Sequence, residues 1–375
     1  MSSRDRNLDP EQYTYDDYKV AIISAMEFEM SAVRYLLDRE HPPMPQKEGD
    51  SNKYFLGELS GHNVVLAWLP GKQGKSAAAH VAVNLQRSFP SVVWRLFVGI
   101  GGGVPNGNHD IRLGDVVVSK PDGQHNGVIQ YDLGKQTEDG FTPKGILVPQ
   151  PSTLVLVVDA IISNHRANKL RVNQYLSELF GKQGGSYYRH PSNDPDHLFK
   201  DGCKHDPAYS NCMACASDIS NIEVRPPRSS EHPEIHFGLV ASGDSVIKNT
   251  AKKKEIIQRF GDVLCFEMEV AGVATELPCI TIRGISDYAD SHKNDRWHMY
   301  AAATAAATAK ELLSHLDIDL KQSAEAPATP NPGTYVHHVS FEGTGFQNVG
   351  SGNISIGGNS SISSSRHGPA GRTYP

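Results

Sequence analysis

The feature that most constrains this chain is an alternation of two periods. Between Tyr18 and Leu316, short apolar runs rich in β-branched residues take turns with segments whose apolar residues recur at helical spacing. The runs YKVAIISA, WRLFVGI, GDVVVS, IHFGLVASGD and PCITIRGIS read as buried strands. KYFLGEL and HNVVLAWL read as a hairpin turning at Ser60-Gly61. The segment from Met26 places Met30, Val33, Leu36 and Leu37 on one helical face. KSAAAHVAVNLQRSF, STLVLVVDAIISNHR, the stretch around Lys252–Phe260, FEMEVAGVATEL and WHMYAAATAAATAKELLSHL complete the helical set. Strands that alternate with helices predict an α/β fold of three layers, a central mixed β-sheet flanked by helices.

Outside that core the composition changes. Residues 1–17 are polar and are expected to be disordered. Residues 183–234, rich in Pro, Ser, Asp and His, read as an irregular insertion in a domain spanning 18–316. Residues 317–340 form a Pro/Ala linker, and 366–375 a disordered end. Between them, 341–365 alternates Asn or Ser with Val and Ile in a Gly-rich setting. That pattern suits cross-β stacking with an amyloid-type partner, and it equally suits disorder. The net charge of -6 gives no support for nucleic-acid binding. No apolar run reaches membrane-spanning length, and the N-terminus lacks a signal-peptide core. Five cysteines, few and odd in number, argue against a disulfide scaffold and for a reducing, cytoplasmic compartment.

Four segments carry a family resemblance. They are AIISAMEFEM; PGKQGKSAAA with VGIGGGVP; SGDSVI; and FEMEVAG followed by IRGISDYAD. Together they resemble the purine and uridine phosphorylases and their hydrolytic relatives, the methylthioadenosine/S-adenosylhomocysteine nucleosidases. The form with the insertion and its Cys pair looks like the domain that fungi place at the front of immune-receptor-like proteins. The resemblance implies cleavage of a purine N-glycosidic bond, no cofactor for catalysis, and a homo-oligomer.

That reaction puts positive charge on the ribose and negative charge on the leaving base. It therefore needs an acid for the purine, an anchor for the ribose hydroxyls and a positioned nucleophile. Asp287 follows a buried strand, where α/β sheets place ligands. By resemblance it donates a proton to purine N7, a role that burial favours because burial disfavours the charged form. Glu269 matches the residue that accepts hydrogen bonds from the ribose hydroxyls, and Met268 packs on the sugar. Glu267, two residues before Glu269 in the expected helix, should face elsewhere and support the site. Glu29 matches the residue that positions and deprotonates water in the nucleosidases, with Met26 lining the site; a carboxylate there repels phosphate. An acid at a helix start is also common simply to complement the dipole. Gly101 and Gly102, in what reads as a glycine-rich turn, should bring backbone N–H groups near the nucleophile or sugar. Ser242, Val246, Ile247 and Ser286 complete the substrate-binding set by resemblance. Arg283 is expected to orient Asp287 or to be a structural ion-pair partner.

The GKQGKS segment is not a Walker A loop, because only Lys72 and Gln73 separate Gly71 from Gly74. Lys72, Lys75, Arg283 and Lys293 are the candidate cations for a phosphorylated substrate. In the insertion, Cys203, His205, Cys212 and Cys215 have ligand types and spacings suited to a structural zinc, with free thiols the alternative. Cys265 and Cys279 lie in apolar segments and read as core. The leading expectation is a purine N-ribohydrolase acting on an adenine nucleoside or nucleotide, with ATP cleaved to adenine and ribose triphosphate as the first-choice reaction in an immune setting. Its rivals are a phosphate-dependent phosphorylase and a catalytically silent nucleotide sensor with an oligomerising tail.

Overall fold

β1 (Val20–Ser24) is buried at every position, and its neighbours in sequence point to opposite layers. Val20 and Ile22 enter one hydrophobic cluster, Ala21 and Ile23 another. This period of two is what a strand buried on both faces requires. The structure, a computed structural model, describes residues 13–317 except Lys72, Asp139, Pro207, Ser210, Asn211, Ser229, Glu231 and Asn294. The expectations for residues 1–12, the linker and the tail therefore lie outside the described residues, apart from residue 317.

The sheet continues through β2 (Arg39–His41), β3 (Tyr54–Leu59), β4 (His62–Trp68), β5 (Trp94–Gly103), β6 (Val116–Ser119) and β7 (Val128–Gln130). It is completed by β10 (Ile235–Ser242), β11 (Val263–Glu267) and β12 (Ile280–Asp287); β8 (Gly134–Thr137) and β9 (Gly140–Pro143) form a separate hairpin. The order is β11-β10-β6-β12-β5-β1-β4-β3-β2, with β7 beside β10. β5 pairs in parallel with β1 and β12, then crosses to pair antiparallel with β11 at Gly102 and Gly103. That last pairing closes β5, β12, β6, β10 and β11 into a ring.

Helices cover both faces. α1 (Glu27–Tyr35), α3 (Ser152–Arg166), α4 (Val172–Gly181) and α8 (His298–Leu313) contribute to one cluster. α2 (Lys75–Ser88) and the short α7 (Val270–Ala274) pack into the other. α6 (Thr250–Phe260) lies beside β10 and β11 in a third cluster, and the one-turn α5 (Met213–Ala216) belongs to the insertion. α8 is buried nearly all round, as a helix built on alanine can be. Thr304 and Thr308 return their hydroxyls to the helix's own carbonyls. Lys310 reaches out to Leu36 O and Asp38.

Three sequence expectations need correction, and one helix was not expected. FEMEVAGVATEL is not one helix: Phe266 and Glu267 end β11, and helix begins only at Val270. The glycine run of VGIGGGVP is strand up to Gly103, not a turn, because glycines let β5 pass close beneath its neighbours. Residues 13–17, expected to be disordered, are packed: Tyr13 stacks on His41 and Tyr15–Asp17 form a 3-10 turn. The stretch before the insertion holds α4, whose Val172, Tyr175, Leu176 and Leu179 are buried on one face.

The irregular reading of 183–234 describes its path, yet ionic bonds tie it to the core. Arg228 pairs with buried Asp115 at 2.6 Å and Arg225 with Asp110 at 3.6 Å. Tyr188 donates to Phe28 O at 2.7 Å. Packing elsewhere is close enough to test at one glycine. A Cβ on Gly284 would collide with the Ala301 carbonyl of α8, whereas one on Gly107 meets nothing. Gly284→Ala should cost about 1–3 kcal/mol or more by overpacking. Gly107→Ala should stay within about 0.5 kcal/mol of wild type. Urea unfolding of the two variants checks the contrast.

Candidate active site

The site forms where the C-terminal ends of β1, β5, β11 and β12 meet. A cavity of about 450 Å³ lies there, lined by Met26, Glu29, Gly101, Gly102, Val246, Ile247, Met268, Glu269 and Asp287 among others. Each carboxylate arrives by a different local device.

Glu29 is the third residue of α1 and reaches back to the helix start. Its Oε2 accepts from Ala25 N at 2.9 Å and Met26 N at 2.8 Å. Its Oε1 crosses to accept from Ile100 N of β5 at 2.8 Å. The helix-start role and the site role are thus the same carboxylate. Two oxygens offer about four acceptor positions, so roughly one remains for water after three backbone donors. Burial pushes Glu29 upward from its ordinary range, while Arg283 and the three N–H donors pull it down.

Arg283 is the counter-charge. It is fully buried on β12, and its Nη2 lies 2.5 Å from Glu267 Oε2 and 3.9 Å from Glu269 Oε2. Burial works against its charge, but Glu267, Glu269 and Glu29 together hold it above its ordinary value. Its guanidinium also lies over the Phe97 ring at 4.7 Å. Glu267 also accepts from the N–H groups of Glu269 and Val270, which caps α7. Glu269 is pushed up to about 7, by burial first and then by the charges of Glu267 and Glu29. β5 must offer glycine here: a Cβ at Gly99 would sit 2.5 Å from both Arg283 Nη1 and Glu29 Oε1.

Asp287 is aimed by a bulge. β12 pairs Ile285 with Gly101 and Asp287 with Gly102, so Ser286 is an extra residue. Asp287 Oδ1 accepts from Ala289 N at 2.9 Å. Its Oδ2 accepts from Ser286 Oγ at 2.9 Å and from Lys293 Nζ at 2.9 Å. The bulge also reverses the face that Asp287 would have shared with Arg283. Arg283 therefore does not orient Asp287; of its two expected roles it takes the ion-pair one, and Lys293 is the cation on Asp287.

With this geometry in view, the comparisons decide the family. The phosphorylase superfamily model matches residues 19–316. The chain belongs to the phosphorylase superfamily. It is 39% identical over 299 residues to a nucleotide-binding leucine-rich repeat (NLR)-like protein of Hyaloscypha variabilis, covering 80% of this chain and 29% of that protein. It is 33% identical over 318 residues to the ATP nucleosidase Cap17 of Escherichia coli, covering 79% of this chain and 51% of the relative. The chain thus spans less than a third of the first relative's length and about half of the second's. Among solved structures, a 5'-methylthioadenosine/S-adenosylhomocysteine nucleosidase of Neisseria meningitidis aligns with TM-score 0.51 at 20% identity, covering 80% of this chain and 99% of that one. That likeness is one of fold, and it extends the superfamily assignment to the mixed sheet flanked by helices.

Within this superfamily domain, some sequence candidates stand behind the cavity wall. Ser242 Oγ accepts from Ala271 N at 3.0 Å and so braces α7. Ser286 bonds Asp287 and lines a neighbouring cavity of about 370 Å³ on the insertion side, which also touches Asp287. Lys75 is bound to Asp132 at 2.6 Å and to Asp244 at 3.3 Å, and Lys72 lies outside the described residues. Phe28, Phe266, Ala289, Asp295 and His298 also line the cavity without having been singled out. Phe28 sits inside AMEFEM, but two residues from Met26 it falls off that residue's helical face, so spacing held no signal for it; His298 follows an irregular turn and held none either. Cys265 and Cys279 are buried core residues. The four zinc candidates are brought near one another, together with His292. Among the described residues, however, no group of three or more His, Cys, Asp or Glu side chains is disposed as it stands to hold a metal ion.

Arg283 should therefore be the most sensitive buried residue of the site. Arg283→Met leaves Glu29, Glu267 and Glu269 without their cation and should cost about 3–5 kcal/mol. The pH dependence has a definite sign. Glu269 holds its proton in the folded state up to about 7 and in the unfolded state only to its ordinary 4.5. In that window the folded state binds more protons, so stability falls as pH rises. Removing Arg283 raises such groups further, so the variant should lose more stability near pH 8 than near pH 5. Denaturant midpoints across that range measure it; a loss independent of pH would contradict the coupling.

Proposed function

We propose that this domain hydrolyses the N-glycosidic bond of an adenine nucleoside or nucleotide. The observation that carries this reading is the charge at the nucleophile's position. A phosphorylase must hold a phosphate dianion there. Here Glu29, Glu267 and Glu269 surround a single arginine that they already occupy. A group of three carboxylates around one cation favours neutral water over phosphate.

The chemistry follows from the positions. Glu269 accepts hydrogen bonds from the ribose hydroxyls, and Met268 packs against the sugar. Water held at the remaining acceptor position of Glu29 attacks C1' and gives its proton to that carboxylate. The C1'–N9 bond breaks, its electron pair goes to the purine, and Asp287 delivers a proton to N7. The net change is one water consumed, with free base and a 1-hydroxyl sugar formed. Gly101 and Gly102 leave room for this approach because a side chain at Gly102 would lie 2.9 Å from Asp287 Oδ1.

Within this class the substrate we favour is ATP, cleaved to adenine and ribose triphosphate in an immune or cell-death setting. Two relatives support it by name, the ATP nucleosidase Cap17 and the NLR-like protein of H. variabilis. Lys293, at the cavity wall and bonded to Asp287, is a cation that a charged substrate would share with that carboxylate. Incubating the purified chain with adenosine, methylthioadenosine, AMP and ATP, and separating products by chromatography, tests both levels. Release of adenine from ATP at the highest kcat/KM supports the narrow reading. Release from the nucleosides alone keeps the hydrolase and removes the nucleotide.

Two substitutions test the roles. Glu29→Gln should still bind substrate but turn it over about 10²–10⁴-fold more slowly, because an amide cannot take the proton. Asp287→Asn should cost about a hundredfold or more in kcat with the fold retained. Burial raises Glu29 from its ordinary 4.5. The acid limb of the rate profile should accordingly fall at a pH above 4.5, and Glu29→Gln should abolish that limb. Near-normal turnover in either folded variant would remove that residue from its role.

A further inference from the structure

The insertion and the loop after β12 bring five sulfur and imidazole side chains into one cluster. Cys212 Sγ lies 3.7 Å and Cys215 Sγ 3.8 Å from the same atom, His205 Nδ1. Cys203 Sγ lies 3.6 Å from His292 Nε2, and Cys212 Sγ lies 3.5 Å from the His292 carbonyl oxygen. His292 is not part of the insertion: it sits five residues after Asp287 and directly before Lys293. We propose that this cluster is a structural zinc site, formed by His205, Cys212, Cys215 and His292, that fastens the insertion to the loop behind Asp287.

Three observations carry the proposal. The first is the tautomer of His205. Its Nε2 lies 3.0 Å from the Tyr209 carbonyl, which can only accept. The proton is therefore on Nε2, and Nδ1 presents its lone pair to the two thiols. A backbone carbonyl on the far nitrogen is the usual companion of a metal-bound histidine. One lone pair cannot serve two thiol donors well. A cation bound to that lone pair and to both sulfurs as thiolates serves all three.

The second observation is spacing. Zinc binds sulfur at about 2.3 Å and imidazole nitrogen at about 2.0–2.1 Å, so a tetrahedral site sets its S and N ligands about 3.6 Å apart. The two sulfur–nitrogen contacts at His205, 3.7 and 3.8 Å, already have the length of edges of such a tetrahedron. What the arrangement lacks as it stands is one centre common to three or more ligands, which rotation of these short side chains would supply. The Cys-x2-Cys pair on α5 is the usual spacing for two zinc ligands on one turn.

The third observation selects His292 over Cys203. The His292 ring is buried and stacks on Phe199 with centroids 3.7 Å apart. Its Nδ1 faces Asp290 Oδ1 at 3.6 Å, and its Nε2 points to the cluster at Cys203 Sγ, 3.6 Å away. A carboxylate behind the imidazole orients a metal ligand. Cys203 is less buried and stands next to that nitrogen as a neighbour. The segment also has cause to need an ion: its described secondary structure is two 3-10 turns and the four-residue α5, too little to fix it unaided.

The test uses the full chain and does not depend on its substrate. Protein made in zinc-supplemented medium and purified without chelator should contain zinc equimolar with the chain by elemental analysis. His205→Ala, Cys215→Ser and His292→Ala should each lose the metal, and Cys203→Ser should retain it. Replacement by Co²⁺ should give the intense visible bands of a tetrahedral site and a thiolate-to-cobalt charge-transfer band, which needs no variant to fold. Stripping the zinc should expose residues 183–234 to protease while the remainder of the domain stays intact. Metal-free protein from supplemented medium, with no cobalt charge-transfer band, would overturn the proposal. So would zinc that survives in Cys215→Ser. Loss of metal in Cys203→Ser together with retention in His292→Ala would overturn the ligand set in favour of one confined to the insertion.

Discussion

The structure of this site depends on one buried guanidinium. Arg283 lies at the centre of the sheet with no exposed surface, and its charge is stable there only because Glu267, Glu269 and Glu29 surround it. Those acids come from two other strand ends, β11 and the β1–α1 junction. The ion cluster therefore fastens three parts of the chain that are far apart in sequence. It also explains Gly99, since any side chain there would occupy the space of the guanidinium and of Glu29. A buried pair of this kind contributes little net stability, but removing one partner strands the others. Burial raises Glu29 and Glu269, while Arg283 pulls both back and is itself taken up by the surrounding carboxylates.

Much of this was legible in sequence because the strand runs are short, apolar and β-branched. β1, β4, β5, β10 and β12 follow directly from that pattern, as does the hairpin at Ser60-Gly61. Glu29, Glu269 and Asp287 were legible through motif resemblance, and they line one cavity. Other features were not legible, for identifiable reasons. The helix expected over FEMEVAGVATEL takes in Phe266 and Glu267, the end of β11, because they run into Val, Ala and Gly without a turn residue. The Ser286 bulge leaves no mark in composition, so simple alternation put Arg283 and Asp287 on one face. α4 was missed although Val172, Tyr175, Leu176 and Leu179 stand at helical spacing. Lys293 lies in a polar loop, and its bond to Asp287 depends on how that loop folds back.

The insertion modifies the superfamily domain next to the acid. Tyr288 donates to Asp196 and Arg225 lies over the Tyr288 ring, so insertion residues hold the side chain that follows Asp287. A second cavity, formed with insertion residues, meets Asp287 from the other side. Asp287 thus lines both a cavity at the strand ends and one walled in part by residues of 183–234. Whatever fixes the insertion also limits where Asp287 and Lys293 can move.

The central claim is that water, not phosphate, is the nucleophile. The most direct measurement is mass spectrometry of the sugar product formed in ¹⁸O-labelled water, with and without added phosphate. Hydrolysis at Glu29 predicts one labelled oxygen on the sugar in both cases and a rate that phosphate does not raise. Formation of an unlabelled sugar 1-phosphate, with a rate that rises and saturates as phosphate is added, would contradict it.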